Sequence, residues 1–145
     1  MTTRAVLDVN ILASAFVSRG SPPGYVLSLG LLGTFQIVVS DHILMALART
    51  WTKPYFVARL SKSQEQRNFA QLTKFSTPVL PDRSVSGVCN DEEDDLVLGT
   101  AVKANADYLV TGNKGFQQVS EYRSVRIVGA SEFLELIRRE LESDI

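Results

Sequence analysis

One cysteine and one histidine deny this chain two kinds of site. Cys89 has no partner for an internal disulfide, and Cys89 with His42 cannot assemble the Cys/His cluster that structural zinc needs. Cys89 reads instead as a small buried apolar residue suited to a reducing compartment, and His42, just past the expected start of a helix, as a surface or half-buried side chain. Long hydrophobic runs are also missing: none reaches the length of about 18 residues that a membrane span requires. The opening MTTRAVLDVN has one positive charge but no sustained apolar stretch before a cleavage site, so it does not read as a secretory signal. The expectation is a cytoplasmic protein with no membrane partner. Net charge is only −1, which removes any whole-chain argument for a polyanionic ligand.

What is present is an ordinary globular composition, 45% hydrophobic and 21% charged, over 145 residues. That length suits a single domain spanning 1–145 around one core. The charges are unevenly spread. Arg49, Lys53, Arg59, Lys62, Arg67 and Lys74 face a single acid, Glu65, between positions 49 and 74, whereas residues 91 to 95 read Asp-Glu-Glu-Asp-Asp. Arg49, Lys53 and Arg59 could hold the phosphates of a nucleic acid, with Trp51 and Tyr55 stacking on its bases, but core packing explains the aromatics at least as well and solvated helix faces explain the charges.

The patterning alternates strands with helices. Residues 4–7 form a short apolar strand, followed by a helix from about Asn10 to Val17. YVLSLGLLG is a second helix ending at Gly33, and FQIVV a second strand. Ser40 or Asp41 caps a helix that must end before Pro54, and Ser61 opens another with Phe69, Leu72 and Phe75 on one face. TPVLP, DYLVTG and VRIVG are strands, DDLVLGTAVKANA is a helix, and ASEFLELIRRELE is a terminal helix capped by Ser131, with Phe133, Leu134, Ile137 and Leu141 on its apolar face. Short strands separated by helices predict a mostly parallel sheet covered on both faces. Ligands of such sheets gather outside the carboxyl ends of the strands, which is where Asp8 falls. Capping of the following helix explains Asp8 equally well from position alone.

Five consecutive carboxylates at the start of a helix exceed what a cap needs. Packed together they repel, and a divalent cation would relieve them. Mg²⁺ or Mn²⁺ prefers carboxylate and water oxygens, and such ions stabilise a phosphoryl group under attack. Asp8 and either Asp94 or Asp95 can meet at one sheet edge if their strands are neighbours. Thr111 and Asn113, after a further strand, bring a hydroxyl and an amide to the same edge.

The succession RAVLDVNIL, FQIVVSDHIL, DEEDDLVLGTAVKANADYLVTGNKGF and VRIVGASEFLELI resembles the PIN domain, in particular small prokaryotic members known as toxins of toxin–antitoxin modules. The resemblance covers nearly the whole chain. It implies a three-layer α/β/α sandwich with a central, mostly parallel sheet, and a Mg²⁺- or Mn²⁺-dependent ribonuclease site of three or four acids. It also implies RNA as substrate, an antitoxin protein as partner and a homodimer.

Carried over residue by residue, the first family acid is Asp8, with Asn10 its usual companion, and the third falls on Asp95, with Asp94 beside it. Asp8, Asp95 and Asn113 are then the catalytic set, Asp8, Asp95 and Asp94 the metal ligands, and Asn10, Thr111 and Asp91 their support. The second family acid is replaced by Ala46 and the fourth by Asn113. Asp41, Asp91, Glu92 and Glu93 are further carboxylates, none at a matching position. Fewer acids mean weaker metal binding, and a non-catalytic PIN domain that holds RNA or a protein is the alternative. Two other readings fail on residues: DVNILAS lacks Gly-x-Gly-x-x-Gly, and position 10 is Asn where a haloacid-dehalogenase-type phosphatase needs a second Asp.

Overall fold

Ala5, Val6 and Leu7 are all buried, as are Ile37, Val38 and Val39, and Tyr108, Leu109 and Val110. Strands with no solvent-facing side must be covered above and below. The computed structural model, which describes residues 2–143, shows how. Strands β1 (Arg4–Leu7), β2 (Gln36–Val39), β3 (Ser76–Pro78), β4 (Tyr108–Val110), β5 (Glu121–Tyr122) and β6 (Val125–Val128) form one sheet in the order β3-β2-β1-β4-β6-β5. Every neighbouring pair is parallel except β5 with β6.

The helices are α1 (Val9–Val17), α2 (Pro22–Leu31), α3 (Asp41–Thr50), α4 (Pro54–Val57), α5 (Lys62–Lys74), α6 (Glu92–Lys103), α7 (Lys114–Gln117) and α8 (Ala130–Ser143). Helix α1 packs on α2 and α3, α2 also meets α8, and α6 lies against β1, β2 and β4. Leu7, Leu12, Leu27, Ile37, Leu98, Leu109 and Phe133 belong to the core between these layers. The expected α/β architecture with a central, mostly parallel sheet is thus observed.

Local signals set most of the helix starts. The Ser21 hydroxyl accepts from the Gly24 N–H ahead of Pro22 and Pro23, so α2 begins three residues before the YVLSLGLLG stretch. Ser40, not Asp41, caps α3 by accepting from the Ile43 N–H. Ser61 and Gln64 form a reciprocal capping box on α5. Ser131 does not cap α8. The helix starts earlier, with the Phe133 N–H donating to the Gly129 carbonyl at 2.9 Å, and Ser131 lies exposed in its first turn.

Two apolar faces are narrower than expected, since Phe75 and Leu141 are largely exposed. Trp51 is buried, edge-on to Phe16 and Phe69 with ring centroids 5.7 and 5.0 Å apart. It is a core residue and unavailable to an RNA base. Helices α4 and α7 and strand β5, of four, four and two residues, escape sequence patterning because none completes enough turns or alternations to show a period.

Candidate active site at the carboxyl edge of the sheet

Strand β1 is central, with β2 on one side and β4 on the other. The chain leaves β1 toward β2 and returns much later to β4, so the β1/β4 boundary is a topological switch point, where open parallel sheets form ligand crevices. Asp8 stands there. Its N–H donates to the Val110 carbonyl at 2.9 Å, which places Asp8 beside Thr111 at the matching end of β4.

The Asp8 carboxylate makes the capping contact foreseen for it and also reaches the end of β4. Oδ1 accepts from the Val9 N–H at 2.8 Å and caps α1, while Oδ2 accepts from the Thr111 hydroxyl at 2.7 Å and, at 3.5 Å, from the Asn10 amide. Thr111 Oγ1 in turn accepts from the Asn113 N–H at 3.1 Å. The Asn10 amide oxygen accepts from the Gly112 N–H at 3.0 Å, so Asn10 ties β1 to the loop after β4. Burial pushes the Asp8 carboxyl above its ordinary range, with partial relief from Thr111, the Val9 N–H and the charge of His42.

A cleft of about 360 Å³ opens over this carboxylate, lined by Asp8, Asn10, His42, Ala46, Arg49, Lys53, Glu93, Asp94 and Asn113 among others. His42, Ala46 and Arg49 of α3 recur at helical spacing along one wall, continued by Lys53 just past the helix, and Glu93, Asp94 and Val97 from α6 form the other. A larger hollow of about 700 Å³ lies at the amino edge of the sheet, near Arg4, Gln36 and Asp107. Its polar groups already serve one another: Arg4 N–H meets Asp107, and its guanidinium meets Gln36 and the Ala104 carbonyl. The smaller cleft gathers the carboxylates of Asp8 and Asp94 with the cations of Arg49 and Lys53.

Asp94 enters the cleft and Asp95 does not. The buried Asp95 carboxylate accepts from the Gly87 N–H at 2.9 Å and the Cys89 N–H at 2.8 Å. It therefore pins the loop before α6 rather than facing Asp8, against the expectation that it completes the Asp8 pocket. Burial opposes its ionisation, but the Cys89 and Gly87 N–H donors outweigh burial and hold its carboxyl below the ordinary range. The Cys89 thiol, half-buried beside that carboxylate, is pushed up to about 12 by burial first and Asp95 second. A thiol held that high carries little thiolate at neutral pH, as suits a packing residue.

Asp94 has no hydrogen-bond or ion-pair partner among the described residues. Burial first, then the negative fields of Asp8, Asp91, Asp95 and Glu93, push its carboxyl up to about 6 from an ordinary 3.8. A raised folded-state value makes stability fall as pH rises through that window, because the unfolded chain gives up its proton first. In EDTA, Asp94→Asn should therefore melt above the parent at pH values over about 6, with the gap closing below about pH 4. Melting curves across that range check this, and a pH-independent gap would remove the argument that ionising Asp94, against burial first and its acidic neighbours second, costs stability.

The remaining predicted residues divide. Asp91 caps α6, its Oδ1 accepting from the Glu93 N–H at 2.8 Å. Asn113 caps α7 through the Phe116 N–H at 3.2 Å and still borders the cleft. Arg49 and Lys53 line the cleft, whereas Arg59 stacks on the exposed Tyr55 ring, 3.7 Å from its centroid, outside it. Gln117 was not anticipated: its amide donates to the Thr111 carbonyl at 2.7 Å and steadies the peptide that holds Asp8. Nothing in its sequence context marks it, since α7 is too short to pattern. Among the described residues, no three His, Cys, Asp or Glu side chains form a ready-made metal cage.

Comparison with known proteins bears on this arrangement. No curated protein matches the chain. A solved structure, VapBC2 from Rickettsia felis bound to a DNA fragment from their promoter, superposes with a TM-score of 0.55 at 20% sequence identity. The match covers 88% of this chain and 98% of that one, and supports the fold. The family model described as PIN domain matches residues 4–115, from β1 with Asp8 through α6 to Asn113 at the start of α7. By that match over most of its length, the chain belongs to the PIN-domain family.

Proposed function

We propose that this chain is a ribonuclease of the PIN type that hydrolyses RNA phosphodiesters with weakly held Mg²⁺ or Mn²⁺, and that it acts as the toxin of a toxin–antitoxin pair. The observation that carries this reading is the pairing of Asp8 with an unpartnered Asp94 in a cleft also lined by Arg49 and Lys53.

The residues fit a divalent ion of the loosely held kind. Mg²⁺ is commonly bound through one or two carboxylates, with water and substrate phosphates completing its shell. Asp8 and Asp94 would hold it. An ion held there would polarise the phosphoryl group and make water a better nucleophile. Within this chain, Thr111 and the Val9 N–H keep the Asp8 carboxylate aimed into the cleft. Asn10 locks the loop after β4, and Asn113 keeps an oxygen near the site without the charge of the family's fourth acid. Arg49 and Lys53 supply the cations for RNA phosphates, and Asp95 supports the site by fixing the approach to α6.

The partner assignments rest on the family and on likeness to a solved neighbour whose name, VapBC2, is a paired one. A small antitoxin and a second copy of this chain are the proposed protein partners. A cytoplasmic location is proposed on the family reading alone; among the described residues no helix is long and apolar enough to cross a membrane.

The test is cleavage of a mixed-sequence single-stranded RNA in Mg²⁺, Mn²⁺ or EDTA. Cleavage should be faster in Mn²⁺, which dehydrates more readily and binds such a sparse oxygen site better, and absent in EDTA. The second reading, a PIN module that binds without cutting, is favoured by Ala46 where the family has an acid. RNA retained by the protein but uncut in either metal would decide for it.

A further inference from the structure

The cleft contains one carboxylate beyond the pair used so far. Glu93 precedes Asp94 in the first turn of α6 and lines the same cleft, but its Oε1 accepts from the Arg49 guanidinium at 2.8 Å. Arg49 stands three residues after Ala46 on the α3 wall, so the cation reaches across the cleft beside the place where the family's second acid is missing. Among the described residues, neither side chain has another polar partner.

Both side chains are 59% exposed. So exposed an ion pair adds little to stability, and it opens readily when either group meets a better partner. For Arg49 the better partner is a phosphate, whose oxygens match the guanidinium fork. For Glu93 it is a hard divalent cation already facing two carboxylates. Each exchange releases the other group.

We propose that Glu93 is the third carboxylate of the metal site, substituting for the acid absent at Ala46, and that Arg49 withholds it until an RNA phosphate takes the guanidinium. This rests on the reading of Asp8 and Asp94 as a divalent-metal site. It makes metal and RNA binding cooperative, and the coupling is reciprocal: each ligand raises the affinity for the other by the same factor. An acid in the first turn of a helix is also favoured by the helix dipole alone. A Glu93 with only that role would be indifferent to metal.

Mn²⁺ binding to the whole chain, read from the electron paramagnetic resonance signal of free Mn²⁺, separates these roles. It is measured with and without a short single-stranded 2′-O-methyl RNA, after subtracting Mn²⁺ bound by the oligonucleotide alone. The parent should bind Mn²⁺ about tenfold tighter with the oligonucleotide present. Arg49→Met should show that tighter binding without the oligonucleotide and gain nothing from it. Glu93→Gln should bind weakly in both conditions. A phosphate that merely added its own oxygens to the ion would raise affinity in Glu93→Gln as well, so full coupling in that variant overturns the proposal. So does parental behaviour in both Glu93→Gln and Arg49→Met while Asp8→Asn loses Mn²⁺, an outcome that leaves the metal site standing. Parental Mn²⁺ binding by Asp8→Asn would mean that the ion is held elsewhere, and both readings would fall together.

Discussion

Asp8→Asn should abolish metal-dependent RNA cleavage, by about a hundredfold or more, without unfolding the chain. The substitution changes charge and little else. Asparagine is as good an N-cap as aspartate, so the contact with the Val9 N–H survives. The Thr111 hydroxyl, which now donates to Oδ2, can rotate to accept from an amide. What disappears is a buried negative charge whose ionisation the fold already disfavours. The metal-free variant should therefore melt no lower than the parent, while its Mn²⁺ affinity and cleavage rate both fall. Cleavage at the parental rate by a folded Asp8→Asn protein would exclude this cleft as the catalytic site.

Ala46→Glu should act in the opposite direction. Ala46 lies in the cleft between His42 and Arg49 on the α3 wall, facing the carboxylates of Asp8 and Asp94. A glutamate there would supply the acid that the resemblance to the family assigns to this position. Three carboxylates hold a divalent cation better than two, so Mg²⁺ and Mn²⁺ should bind about tenfold tighter or more, and cleavage should rise with them. The same substitution has a cost without metal. A third like charge raises the carboxyl values of the group still further, and stability lost above neutral pH should be regained on adding the ion. Because the introduced carboxylate makes the reserve one at Glu93 unnecessary, oligonucleotide should no longer increase Mn²⁺ affinity. If Ala46→Glu binds Mn²⁺ no tighter than the parent, Ala46 does not mark a lost ligand position.

These two results in combination distinguish the functional readings. Cleavage by the parent that is lost in Asp8→Asn describes a nuclease working with a reduced acid set. Cleavage that appears only in Ala46→Glu describes a PIN scaffold that has kept its cleft and given up its chemistry. The chain would then hold RNA or a protein through Arg49, Lys53 and the exposed rim.

The alternation of strands and helices and the place of Asp8 at the end of β1 were legible in the sequence. They depend on local physics: uninterrupted apolar runs for buried strands, hydroxyl and carboxylate caps for helix starts, and side-chain identity at motif positions. Tertiary structure decided the rest. Consecutive residues on a helix point about 100° apart, so whether Asp94 or Asp95 meets Asp8 depended on how α6 docks. The structure sends Asp95 to the Gly87 and Cys89 N–H groups and leaves Asp94 to the cleft. Trp51 shares a basic segment with Arg49 and Lys53, yet at the end of α3 its ring turns into the core while both cations line the cleft. The Arg49–Glu93 contact joins residues 44 positions apart on separate helices. No local pattern encodes such a meeting, because it exists only once both helices have packed against the same sheet.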